Sequence, residues 1–339
     1  MNRAVTTRIQ GIDLLRGIAI ALVMLRHALP DQFSGAGVVG VVMFFALSGY
    51  LITGLLLHEL DRTGRVDLRR FYLRRARRLV PGLLLLVAGV VLVTLALDPL
   101  GDADELGKTV AVALTWTGNL PFGHASDATF HLWTLATEEQ FYLLWPAIVT
   151  LAYARGRLGT ALLAVAAACL LACVASLVML GDAPDLAYSL PTSWAVCFVI
   201  GAATRAHADR LGAWLGVLPP WAPLVALTGL GLLSVIPLRG HVLTYLAGGP
   251  TIASLTAVLL LTWRTWTEVT TPALRALVWL GTLSYSAYLW NYPLTLWLRP
   301  HLDHAGLWAA LLTVPLAALS WYVVEQPLQA RPRPVAMAT

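Results

Sequence analysis

Residues 12–53 read IDLLRGIAIALVMLRHALPDQFSGAGVVGVVMFFALSGYLIT. Two apolar segments, each long enough for a membrane helix, flank a short glycine-bearing link. The first carries Asp13, Arg16, Arg26 and His27, groups that hydrocarbon tolerates only at a cost. An ionisable side chain inside a spanning helix is a functional-site hypothesis by default. Ten residues separate Arg16 from His27. At about 100° per residue the two side chains differ in direction by about 20° and lie about 16 Å apart along the axis. Arg26 points about 100° away from His27 and is placed to snorkel towards the interface.

The whole chain extends this pattern. It has 339 residues, 58% hydrophobic and only 12% charged, against about 25% charged in an ordinary soluble domain. Its mean hydropathy is +0.73. The fold class expected is therefore all-α: a polytopic membrane protein of about ten helices. The candidate spans are 12–30, 37–57, 79–97, 138–154, 160–180, 190–204, 221–238, 243–263, 274–298 and 305–325. Residues 109–120 are apolar but too short to cross, which fits an interfacial or re-entrant piece. The N-terminus, with Arg3 and Arg8 before an apolar run, looks like a signal peptide. The run holds Arg16 and His27 and lacks a small-residue cleavage site, so it reads as a retained first helix.

Basic residues alternate sharply between the two sides. Eighteen arginines, from Arg3 through the cluster Arg62–Arg78 to Arg333, fall on one side; only Lys108, Arg239 and Arg299 fall on the other. This bias predicts both termini in the cytoplasm; the membrane expected is a cytoplasmic (inner) one of bacterial type. The net charge of +5 thus reflects topology and does not call for nucleic acid. Cys169, Cys173 and Cys197 all lie in apolar runs without metal spacing, and are expected to pack rather than to bridge or bind metal.

Four further strings carry polar chemistry. LRRFYLRRARRLVPG, from Leu68, reads as a basic loop, in which Arg75 and Arg78 are three apart and share a face of any helix formed there. Guanidinium forks beside a membrane mouth suit a phosphorylated ligand. Pro81 is expected in the first turn of the third span. HLWTLATEEQFYLLWP, from His131, places Glu138, Glu139 and Tyr142 at the start of the fourth span. One of the two carboxylates is positioned to orient His27, the plainer alternative being a dipole-capping role. LGTLSYSAYLWNYP, from Leu280, puts Ser284, Tyr285 and Asn291 into the ninth span, as pocket lining or as interhelical glue. In VVEQPL, Glu325 is expected to cap the cytoplasmic rim.

Taken together these strings resemble the acyltransferase-3 family of integral membrane O-acyltransferases, over nearly the entire chain. The resemblance rests on Arg16 with His27, on FFALSGYLIT from Phe44, on FYLRRARRLVP from Phe71, and on HLWTLATEEQFYLLWP, in that order. It implies transfer of an acyl group, often acetyl, from a coenzyme A thioester to a hydroxyl of a carbohydrate or glycosylated small molecule. Acyl-CoA would then be a co-substrate and no cofactor would be bound permanently. His27 would be the catalytic histidine, Glu138 the acidic partner that sets its tautomer, and Arg16, Arg75 and Arg78 the donor-binding residues. Ser48, Tyr142, Ser284, Tyr285 and Asn291 would line the pocket. Many members carry histidine where this chain has Asn291, which leaves that position hydrogen bonding at most. The domain expected is a single one over 1–339, with a disordered tail from 328 and no appended soluble domain. The competing class is a transporter or flippase of a glycan or small molecule, supported by polar groups in spans one, two and nine. Against it stand the lack of an internal repeat and the basic inward mouth.

Overall fold

The computed structural model describes residues 9–120, 125–215 and 220–329. Fourteen helical segments are described: α1 Gln10–Ala28, α2 Ala36–Thr63, α3 Leu68–Leu97, α4 Leu106–Thr115, α5 Trp133–Ala154, α6 Leu158–Leu180, α7 Pro191–Ala206, α8 Ala208–Leu215, α9 Ala222–Val235, α10 Gly249–Trp263, α11 Pro272–Thr282, α12 Ser284–Leu298, α13 Ala305–Leu319 and α14 Gln326–Gln329. A π turn, Thr244–Gly248, leads into α10, and a second, Ser320–Glu325, joins α13 to α14.

Among the described residues, five helices are long and apolar enough to cross a membrane: Ala36–Thr63, Leu68–Leu97, Leu158–Leu180, Thr244–Trp263 and Ala305–Gln329. On α6, Leu163, Leu171, Val178 and Met179 are fully outward-facing. An apolar surface of that extent is stable only against lipid. The protein is an all-α polytopic membrane protein.

α1 sits inside the bundle, touched by α2, α10, α11, α12 and α13. Small residues make that possible. A Cβ at Gly281 of α11 would collide with the Asp13 carbonyl of α1, and one at Gly49 of α2 with the Phe198 carbonyl of α7. Close backbone approach of this kind replaces the hydrophobic drive that lipid cannot supply. Behind the crossing of α2 and α7, Phe45 and Phe141 each stack on Phe198 with ring centroids 4.5 and 4.6 Å apart. Trp145 of α5 donates its indole N–H to Thr53 of α2 at 2.8 Å, so a buried polar pair locks these two helices.

Several expectations change at this level. The basic stretch is not a loop: Asp67 accepts the Arg70 backbone N–H at 2.9 Å, and one helix of 30 residues runs on to Leu97. Such a helix is about 45 Å long, longer than the ~30 Å hydrocarbon core, so its arginine-bearing part extends past the apolar part. Pro81 lies deep inside α3, where it removes the bond to the Arg77 carbonyl instead of starting a span. α5 begins at Trp133, so Glu138 is in its second turn and does not cap it. The ninth expected span is broken at Leu283, between α11 and α12. Glu325 is completely buried, not at a rim. Residues 328 and 329 are helical, contrary to the expected disordered tail; 330–339, together with Arg3 and Arg8, lie outside the described residues. The cysteines are free thiols, Cys173 and Cys197 buried and Cys169 partly so, within the packing around α6 and α7.

Candidate active site

Arg75 and Arg78 stand one turn apart on α3, and a pocket of about 110 Å³ opens between that face and α1, α2, α5 and α12. It gathers eight of the ten residues singled out from the sequence: Arg16, Ser48, Arg75, Arg78, Glu138, Tyr142, Ser284 and Tyr285. These come from five different helices, so only the tertiary fold brings them together. Phe44, Thr134 and Tyr288 line the pocket as well. They were not singled out because an aromatic or threonine on an apolar helix is indistinguishable from packing by pattern alone.

The three arginines are held differently. Arg75 donates from Nη2 to Glu139 at 2.8 Å, and its guanidinium lies 3.3 Å from the centroid of the Tyr142 ring. That ion pair and the cation–π contact fix its direction. Arg16 and Arg78 are given no hydrogen bond or ion pair among the described residues. Arg16 is half-buried and Arg78 is exposed at the pocket mouth, and Glu138 on the same wall is a counter-charge to both. With Arg75 they make three guanidiniums against one carboxylate in the pocket lining. Glu138, on the same wall, accepts a hydrogen bond from Ser48 Oγ at 2.9 Å. Glu138 and Glu139 thus face different ways, as adjacent helical positions must.

His27 lies apart from this pocket, and its partner is not Glu138. His27 Nδ1 is 2.6 Å from Asn291 Oδ1. The assignment closes on itself: Thr313 Oγ1 donates to the Ala309 carbonyl at 2.6 Å, so it accepts from Asn291 Nδ2 at 3.1 Å. That turns the amide oxygen towards His27, which must donate from Nδ1. Nε2 is left with its lone pair, the tautomer a general base requires. The hydrogen bond to His27 expected of a carboxylate such as Glu138 is made instead by Asn291, fully buried on α12. A neutral amide suffices because the anchor is geometric: three helices, α1, α12 and α13, contribute to one chain of hydrogen bonds.

Between His27 and the pocket runs a file of rings. His27 contacts Tyr292 at 5.2 Å between centroids, Tyr292 contacts His131 at 5.2 Å, and His131 contacts Tyr288 at 5.3 Å. Tyr288 also lines the pocket, where its hydroxyl is 2.5 Å from Thr134 Oγ1 and donates to the His131 carbonyl at 2.6 Å. Among the described residues no group of three or more His, Cys, Asp or Glu side chains is placed to hold a metal ion.

The acyltransferase domain model (Acyl_transf_3) matches residues 9–324. The chain belongs to this family. Among its curated relatives, the O-acetyltransferase OatA of Staphylococcus aureus is 27% identical over 352 residues, covering 94% of this chain and 57% of the relative. The peptidoglycan O-acetyltransferase OatA of Listeria monocytogenes is 27% identical, covering 95% and 56%. The putative peptidoglycan O-acetyltransferase YrhL of Bacillus subtilis is 28% identical, covering 95% and 55%. The chain thus spans somewhat more than half the length of these relatives. No solved structure matches it. Within the family match fall the pocket, the file of rings and the His27–Asn291–Thr313 chain.

Proposed function

We propose that the protein is a membrane O-acyltransferase that moves an acyl group, acetyl in the first instance, from acyl-CoA to a hydroxyl of a carbohydrate or glycosylated small molecule. The observation that carries this reading is the convergence of three guanidiniums, Arg16, Arg75 and Arg78, on one pocket. In this reading ten spans place both termini in the cytoplasm, so the Arg75–Arg78 end faces the cytoplasm, where coenzyme A is found. The phosphates of the donor meet Arg78, Arg75 and Arg16. The pocket, about 110 Å³, is smaller than the ~300–1,000 Å³ of sites that enclose a whole ligand. It suits a narrow thioester arm, with the nucleotide remaining at the mouth.

Chemistry takes place where that arm meets His27. A sugar hydroxyl is a poor nucleophile at neutral pH and needs a base within hydrogen-bond reach. Nε2 of His27 takes the hydroxyl proton as the oxygen attacks the thioester carbonyl. Nδ1–H, held by Asn291, keeps the ring in that tautomer while it carries charge. The tetrahedral intermediate collapses with cleavage of the C–S bond. The products are the ester and the coenzyme A thiolate, which recovers a proton. The names of two relatives, a peptidoglycan O-acetyltransferase and a protein named as a putative one, support an envelope glycan as acceptor.

The experiment is release of free CoA thiol from acetyl-CoA by the purified protein, with and without glycan acceptor. Acceptor-dependent release with formation of an O-acetyl ester is expected. Tight binding or movement of glycan without any thiol release would overturn the reading in favour of a transporter.

A further inference from the structure

Glu325 is the one completely buried carboxylate among the described residues whose surroundings the mechanism above does not use. It closes the π turn Ser320–Glu325 at the end of α13. In an α-helix, residues five apart point about 140° away from each other; the wider π turn brings them to one side. Ser320 Oγ thereby donates to Glu325 Oε1 at 2.7 Å. The same oxygen accepts from Ser286 Oγ of α12 at 2.6 Å. The other oxygen, Oε2, is buried without a hydrogen-bond partner.

This carboxylate lies against the wall of the donor pocket. On α3, Gly82 is the point of approach: a Cβ there would come within 2.9 Å of Tyr285 Cε1 and 3.2 Å of Glu325 Cδ. Gly82 is four residues after Arg78, on the same helix face. Tyr285, the neighbour of Ser286 in sequence, donates its hydroxyl to the Leu79 carbonyl of α3 at 2.6 Å. Arg78, Leu79, Ser284 and Tyr285 all line the pocket, so α3 and α12 are pinned together immediately behind it. Arg78 is within electrostatic reach of both Glu325 and Glu138.

We propose that Glu325 is a positioning residue for the donor site. Its Oε1, through Ser286 and Ser320, fixes α12 against α3. Its unpaired Oε2 adds to the counter-charge of Glu138 in holding Arg78 at the pocket until an anionic donor arrives. The π turn exists to deliver this carboxylate, which an unbroken α-helix would present on another face. The inference rests on the donor reading above, and the test separates the two.

Dissociation constants for CoA and initial rates with acetyl-CoA are measured on purified full-length wild type, Glu325→Gln and Ser286→Ala. Glu325→Gln is expected to weaken CoA binding and raise the KM for acetyl-CoA about tenfold, the scale of a lost charge-assisted hydrogen bond, with kcat within about twofold. Ser286→Ala, which removes one hydroxyl, is expected to raise KM about threefold and to add nothing in the Glu325→Gln background. Unchanged CoA affinity in both variants, or a fall confined to kcat, overturns the inference and leaves the donor reading intact. Failure of wild type to bind CoA overturns the donor reading itself. If Glu325→Gln does not yield folded protein, Ser286→Ala decides: a raised KM supports the role and an unchanged one removes it.

Discussion

The two ends of the site are built on opposite principles. At the pocket, Arg16 and Arg78 make no direct hydrogen bond or ion pair among the described residues, and only Arg75 is tied down, by Glu139 and Tyr142. At His27 every polar atom that sets the ring has a partner, from Nδ1 through Asn291 to Thr313 and the Ala309 carbonyl. In the proposed reading the first arrangement leaves guanidinium donors free to take the oxygens of an anion. The second stores no binding energy but holds one tautomer in one orientation. In the proposed reading binding and chemistry are thus separated in space, with the ring file from Tyr288 to Tyr292 between them.

The largest effect should come from the chemical end. His27→Ala removes the base and is expected to lower transfer by about 10²–10⁴-fold, while CoA still raises the thermal midpoint by mass action. Loss of that thermal shift along with activity would mean the two ends are not separable. Next in size, Arg78→Ala is expected to weaken CoA binding about 10- to 100-fold, the range for a charge-assisted bond to phosphate, with a smaller change in kcat. Equal losses at saturating and limiting donor would merge the two ends again. Asn291→Ala is expected to cut kcat about tenfold at unchanged donor affinity, because the ring keeps its place in α1 but loses the bond that selects its tautomer. A Asn291→Ala enzyme with altered CoA affinity and normal kcat would place that residue in the wrong region.

Much of this was legible in the sequence, and the part that was not has a physical cause. Arg16, Arg75, Arg78 and Glu138 stood out because charge in an apolar helix is costly and therefore informative. Their convergence with Ser48, Tyr142, Ser284 and Tyr285 in one pocket follows the motif strings. The partner of His27 was misjudged: a carboxylate is the usual orienter, and nothing local tells that Asn291, distant in sequence, faces the ring. Helix continuity through Arg69–Pro81 was hidden by proline and charge, which mark loops in water but not in a helix that projects past the bilayer. Glu325 was misread for the same reason. A glutamate near a helix end looks like a cap until the π turn folds it inward.

The smallest expected effect lies between the two regions. Tyr288→Phe deletes a hydroxyl that contacts Thr134 at 2.5 Å and donates to the His131 carbonyl, yet keeps the ring that touches both the pocket and His131. Both lost partners retain an alternative, since Thr134 Oγ1 lies 3.2 Å from the His131 carbonyl and can turn its one proton to it. The net cost of such a neutral hydrogen bond is about 1 kcal/mol, so stability should fall by no more than that and kcat by about threefold. The informative quantity is where the loss appears. If Tyr288 only partitions the pocket from His27, donor affinity is unchanged, and acceptor-independent thioester hydrolysis rises as water gains a path along the ring file. A loss of transfer as large as that of His27→Ala, with hydrolysis unchanged, would instead make the hydroxyl a participant in the reaction. The boundary between binding and chemistry would then lie at Tyr288 itself.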